Sequence, residues 1–530
     1  VFNNVEQCFN LSLRVQPAFA IKVLNLESYH FFFTTSYMNY RSKPPQGSGI
    51  MAEIGVSQVE LVENREDNAR KLPQYIAALA ATLGALAAGS MLGWSAPVLI
   101  KIVNENGTSE YDFPITQAQG DWISSITNLG AAAICFPIGL IMDRIGRKTT
   151  MLILVIPFTL GWLLITFGTS VGMLIAGRFI TGVAGGAFCV TAPAYTSEIA
   201  QDSIRGALGS YFQLMITVGI LFSYVVGSYT SVFVFNILCT LIPIVFGIIF
   251  FFMPESPNYL VVQERTDEAR ESLIKLRGEV YDVDYELDGL KRKAAESKAN
   301  PISYLSAITK RTAVKAIIIC YCLMLFQQLS GINAVIFNAS QIFEDAGAGI
   351  PSEVGTIIIG VIQVVATFSS SLVVDKLGRR ILLMLSAIFM CICSTALGVY
   401  FFLQDQESDV IESITWLPLV ALSIFFIAFS IGLGPIPWMM SGELCKIEIK
   451  AFVGSTAGTL NWLLSFTVTA TFNSLNQAIG AGQVFWIFAG IMLIGFIFIF
   501  FVVPETKGKS VDEIQLILGA KSEIDSKDKI

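Results

Sequence analysis

Between about Ala313 and Phe337 the chain is almost wholly apolar, yet it carries Gln327, Gln328, Ser330 and Asn333. Side-chain amides in such a run are costly unless they find partners. These groups are neutral, and each amide both donates and accepts hydrogen bonds. That chemistry suits an uncharged ligand covered in hydroxyls, such as a sugar. The same residue types also serve as adhesion between membrane helices. On a continuous helix turning ~100° per residue, Gln327 and Ser330 share a face and Gln328 lies to its side. Asn333 follows close to Ser330 on the turn beyond. Gln213, Gln363 and Asn461 are further amides set in apolar stretches.

The elements that must hold these groups follow from composition. Of 530 residues, 54% are hydrophobic and 14% charged, with a mean hydropathy of +0.64. Apolar runs of about 20 residues recur about twelve times, each long enough for a hydrocarbon core of ~30 Å. The fold class is therefore an all-α polytopic membrane protein. Net charge is −7, without a basic patch for nucleic acid. The single histidine, His30, lies outside the runs, so no histidine-based metal or catalytic site is expected. Cys320/Cys322 and Cys391/Cys393 point to different helix faces and form no chelate. No phosphate loop of the Gly-x-x-x-x-Gly-Lys type is present. Neither enzyme activity, metal nor cofactor is expected. Arg178, inside the fourth run, needs a buried partner. In the tenth, Gly432, Gly434, Pro435 and Pro437 must break or kink the helix.

The chain repeats itself. Asp143-Arg144-Ile145-Gly146-Arg147-Lys148 answers Asp375-Lys376-Leu377-Gly378-Arg379-Arg380, Glu198 answers Glu443, and Pro254-Glu255 answers Pro504-Glu505. The offsets of roughly 230–250 residues read as a parallel duplication. Residues 72–253 form one six-helix half and 313–503 the other. Between them, 254–312 is a polar linker with short helices, and 504–530 is a tail. Residues 1–71 precede the first run, and those before Met51 are expected to be upstream or mis-joined sequence. The basic loops lie on one side and the acidic loops on the other, which predicts both termini cytoplasmic. Asn106-Gly107-Thr108 is then an outside glycosylation acceptor.

These repeats, with Pro254-Glu255-Ser256-Pro257, the span from Gln327 to Asn333, Gly434-Pro435-Ile436-Pro437-Trp438 and Pro504-Glu505-Thr506-Lys507-Gly508, resemble the sugar-porter branch of the major facilitator superfamily. The similarity covers about Leu72 to Ser510 and is nearest to the facilitative glucose transporters. Leu92-Gly93-Trp94-Ser95-Ala96-Pro97 further resembles the insect facilitated trehalose transporters. The resemblance implies twelve transmembrane helices in two six-helix halves. It implies sugar contacts at Gln213, Gln327, Gln328, Asn333, Trp438 and Asn461, with Trp438 offering an aromatic face. Gln363 stands where the family usually has Asn, and Trp462 at its second tryptophan position. Phe337-Asn338 replaces a tyrosine pair of the outer gate, Leu433 a proline, and Lys450 an arginine.

The charged loop residues Asp143, Arg144, Arg147, Glu198, Arg205, Glu255, Asp375, Arg379, Arg380, Glu443, Lys450 and Glu505 read as a cytoplasmic gate. The plainer reading is a solvated, topology-setting charge belt. Proton-coupled symporters of this superfamily carry an Asp in the first span. Here Tyr75 to Leu99 has no acid, so facilitative uniport of trehalose or a hexose such as glucose is expected over symport. A non-transporting sugar receptor would have a long tail. The expected partners are a neutral sugar and the lipid bilayer, with no obligate protein partner. Plasma membrane is the expected location. Vesicular residence stays open because Asp512 to Ile517 reads as either a sorting signal or a short amphipathic helix.

Overall fold

A computed structural model describes residues 69–103, 110–299, 307–347 and 349–519. Met51, His30 and Asn106 lie outside these residues, as does the side chain of Asp375. Among the described residues, eleven helical segments are long and apolar enough to cross a membrane. In the first half they are span one Leu72–Ile102, span two Gln117–Ile145, span three Arg147–Thr166, span four Val171–Ile199, span five Arg205–Tyr229 and span six Val232–Phe251. The second half has span seven Arg311–Ala346, span eight Ser352–Val374, span nine Arg379–Asp405, span ten Leu417–Leu444 and span twelve Ala481–Val502.

Span eleven, Ile447–Ile479, is the longest helix but less apolar. Its Asn461, Ser465, Thr469 and Asn473 recur every four residues and so line one face. All four are buried. A helix polar along one stripe faces protein rather than lipid. Among its described residues the linker forms three short helices, Pro257–Val262, Thr266–Arg277 and Val283–Ala299. The tail forms one more, Val511–Ile517, whose Ile514 is buried and whose Gln515 donates to the Leu444 carbonyl at 2.7 Å.

Three spans are less regular than their apolar runs predict; span three is interrupted at Leu154, between helices Arg147–Ile153 and Val155–Thr166. Span one is interrupted at Trp94, between helices Leu72–Gly93 and Ser95–Ile102. Span seven is two helices, Arg311–Leu329 and Ile332–Ala346. The break is at Gly331, whose φ of +86° is left-handed. A side chain there would also strike the Phe488 ring, 2.5 Å from where a Cβ would sit. Gln327 and Ser330 both precede this break, and Ser330 keeps helical dihedrals as the C-cap, so it is Asn333, beyond Gly331, that leaves the continuous helix. The Ser330 hydroxyl donates within that last turn to the Gln327 carbonyl at 2.7 Å.

Arg178 is fully buried among spans one, two and four. Its guanidinium donates to the Met91 carbonyl at 2.9 Å, the Ser95 hydroxyl at 3.0 Å and the Ile123 carbonyl at 3.2 Å. It also lies 4.6 Å from the Trp94 ring. Trp94 is held in turn by Asn236, 2.7 Å from its indole nitrogen. The cation is thus met by neutral acceptors and a π face, the latter worth ~2 kcal/mol or more when desolvated.

Candidate functional site

The site is built on two broken helices that meet. In span ten, Pro435 and Pro437 lack N–H groups, so the Ile431 and Leu433 carbonyls lose their usual i+4 donors. Side chains from neighbouring spans replace them. The Gln327 amide donates to the Leu433 carbonyl at 2.6 Å and to the Gly434 carbonyl at 2.8 Å. Ser370 of span eight reaches the Ile431 carbonyl at 3.5 Å.

From Gln327 a chain of amides runs through the second half. Asn461 donates to Gln327 Oε1 at 2.6 Å, and Gln328 donates to Asn461 Oδ1 at 2.8 Å. Asn333 donates to Gln328 Oε1 at 2.6 Å and to the Ser465 hydroxyl at 2.8 Å. The break at Gly331 lets Asn333 fold back toward Gln328, five residues earlier. Spans seven and eleven thus bring Gln327, Gln328, Asn333 and Asn461 together, all buried and all neutral.

The other expected contacts are placed differently. Gln363 is 2% exposed and its Oε1 has no hydrogen-bond partner; buried Trp462 has an unpartnered Nε1. Each is an orphaned polar atom, costly unless something supplies the missing bond. Trp438 is 40% exposed. Its ring reaches 3.5 Å from where a Cβ on Gly458 would stand, one turn before Asn461. Gln213 is half-buried on span five and is not among the amides bonded to one another.

The charged residues pair inside each half. Arg147 bonds Glu198 at 3.0 Å and Asp143 at 3.1 Å; Arg379 bonds Glu443 at 3.1 Å. Glu255 accepts the Arg147 and Lys148 N–H groups at 3.0 and 2.9 Å, capping span three. Glu505 accepts those of Arg379 and Arg380 at 2.9 and 3.1 Å, capping span nine. Burial alone would raise the Glu505 pKa, but the backbone N–H groups of Lys507, Arg379, Arg380 and Thr506 outweigh it and hold the carboxyl below its usual range. Arg205 pairs with Asp202 at 2.6 Å, and the Tyr259 hydroxyl donates to the Arg144 carbonyl at 3.0 Å. Lys450 lies over Gly442, its Nζ 3.3 Å from where a Cβ would be. None of the described ion pairs joins the two halves.

The bonds that do cross between halves sit toward the other end. Asn473 donates to Asp121 Oδ1 at 2.6 Å, Asn128 to Thr469 at 3.1 Å and the Tyr224 hydroxyl to the Ile336 carbonyl at 2.9 Å. Asn473 also reaches Asn338 at 3.4 Å, so Asn338 takes part in this closure. The apolar pattern does not reveal Asp121, because it lies in the polar first turns of span two, which begins at Gln117. The spacing of Asn461, Ser465, Thr469 and Asn473 was the available signal for the other side of the bridge.

Twelve spans with paired amides at helix breaks define a membrane carrier of the major-facilitator class. A family model described as "Sugar (and other) transporter" matches residues 77–518. The chain is 38% identical over 444 residues to a facilitated trehalose transporter Tret1 from Culex quinquefasciatus, covering 83% of this chain and 85% of that protein. Identity to Tret1 of Aedes aegypti is also 38% over 444 residues, 83% of this chain but only 54% of that longer protein. The inward-open conformation of the xylose transporter XylE from E. coli matches with a TM-score of 0.68, covering 83% of this chain and 98% of that one at 23% identity. The chain belongs to the sugar transporter family.

Gln327 supports backbone as well as amide, and this separates it from Gln328. A side-chain amide left behind can rotate to a new partner, whereas the Leu433 carbonyl in its broken helix cannot. Gln327→Ala is expected to cost about 1–3 kcal/mol of stability, read as a lower unfolding midpoint in detergent. Gln328→Ala should cost less, and an equal or larger loss would contradict this assignment.

Proposed function

We propose that the chain is a facilitative carrier that moves a neutral sugar, trehalose or a hexose such as glucose, by alternating access. The observation that carries this reading is the chain of four neutral amides, Gln327, Asn461, Gln328 and Asn333, with no charged side chain among them. Each bond in it can be exchanged for a bond to a sugar hydroxyl, so the desolvated sugar is met without a deep energy well. Gln363 and Trp462 offer unpartnered atoms, Gln213 an amide from the other half, and Trp438 an accessible aromatic face. By the positive-inside rule the Arg- and Lys-rich loops face the cytoplasm. Plasma membrane is the proposed location, with vesicles as the alternative.

Uniport is supported by Arg178, whose buried charge is met by carbonyls, Ser95 and the Trp94 ring rather than by a titratable carboxylate. Proton symport is the second reading, favoured by buried Asp121, which accepts Asn473 across the two halves. Sugar flux into proteoliposomes, with trehalose and glucose compared, decides between them. Uniport predicts equal initial rates with and without an inward proton gradient. Gradient-driven accumulation that Asp121→Asn abolishes would establish symport.

The Glu198 and Glu443 clusters are proposed as the inner gate. In this conformation each is satisfied within its own half. Closing the inner side would bring the two clusters together, and exposed pairs of ~0–1 kcal/mol each are enough to bias two states of similar energy. Glu443→Gln should then favour the inward-open form and reduce labelling from outside of a reporter cysteine at Ser465→Cys, which lies beside Asn333 behind the Asn473 bridge. Unchanged labelling would argue against the gate.

A further inference from the structure

Beside the Asn473 bridge lies a cavity of about 570 Å³, within the ~300–1,000 Å³ of small-molecule pockets. It is at the end away from the paired arginine loops. Gln117 of span two, Gln341 of span seven and Asn473 and Gln477 of span eleven line it, so neutral amides converge from both halves. Asn476 also lines it, and its buried Oδ1 has no hydrogen-bond partner. Phe401, stacked on Phe485 at 5.5 Å, adds apolar surface. Asp345 and Asp405 add strong acceptors, and no lysine or arginine is among the described residues that line the wall.

We propose that this chamber is a second, outer binding site for a neutral polyhydroxylated ligand, occupied by the sugar on its way to or from the central amides. The two carboxylates with no facing base disfavour an anion. Among the described residues no cluster of three or more His, Cys, Asp or Glu is placed to hold a metal. Amides that both donate and accept and carboxylates that accept, next to an aromatic ring, are the chemistry of vicinal hydroxyls. Asn473 links the chamber to the closure. A ligand hydroxyl that accepts its amide competes with Asp121, now 2.6 Å away. Loading the chamber therefore loosens the bridge between spans two and eleven. The inference rests on the carrier reading and deepens it.

The test is equilibrium binding of radiolabelled trehalose and glucose to the purified full chain. Asn461→Ala weakens the central site and should leave a residual saturable class. Adding Gln341→Ala and Gln477→Ala should weaken that class by about tenfold or more, without lowering the unfolding midpoint further. Asp405→Asn, at an exposed position, gives an independent variant with the same expected direction. Wild-type binding of one sugar only, a residual class untouched by these changes, or a residual class displaced by ammonium ions in place of sugar would overturn the outer site. Absence of any sugar binding by the wild type would instead overturn the carrier reading, and the outer site with it.

Discussion

A helix that breaks inside a bilayer exposes carbonyls that no water can satisfy, and the rest of this molecule is arranged around that constraint. Span ten needs its break, because Pro435 and Pro437 remove two N–H groups in one turn. Gln327 meets the resulting need at Leu433 and Gly434. Once its amide nitrogen is committed there, its oxygen fixes Asn461, and Asn461 fixes Gln328. The position of the amide chain is thus set by backbone that cannot be left unpaired. A rigid anchor at one end and exchangeable side-chain bonds at the other is what a site needs if it must hold a ligand and then release it.

The same logic explains why the two ends of the molecule differ. At one end the carboxylates Glu255 and Glu505 cap spans three and nine and keep the charged loops folded onto their own half. That arrangement ties both carboxylates to backbone of the half they adjoin. At the other end, neutral and singly charged groups of spans two, five, seven and eleven bond across the halves. Bonds worth ~1 kcal/mol each can hold one end shut and still yield to a competing ligand.

Much of the fold was legible because the bilayer imposes it. Runs of apolar residues gave the spans, the repeated Asp-x-x-Gly-Arg loops gave the duplication, and the prolines gave the break in span ten. The polar residues of span seven stood out for the same reason. Hidden from sequence was the left-handed turn at Gly331, since a Ser-Gly pair inside an apolar run is also compatible with a continuous helix. That turn, not helical periodicity, brings Asn333 back to Gln328. Asp121 was hidden because it lies just beyond the apolar run it belongs to. Partner choice among the charges was not readable either. A repeat states which residues correspond, but whether Glu443 meets Arg379 or a residue of the other half depends on the conformation.

The central claim is that the amides of spans seven and eleven act together on a sugar and are not merely adhesive between helices. The most direct measurement is a double-mutant cycle on equilibrium sugar binding with Gln328→Ala, Asn461→Ala and the pair. Side chains in one network should show a coupling of about 0.5–3 kcal/mol, with most of the binding already lost in either single variant. Wild-type affinity in the double variant, with only its thermal stability lowered, would reduce the amides to structural adhesion and contradict the account.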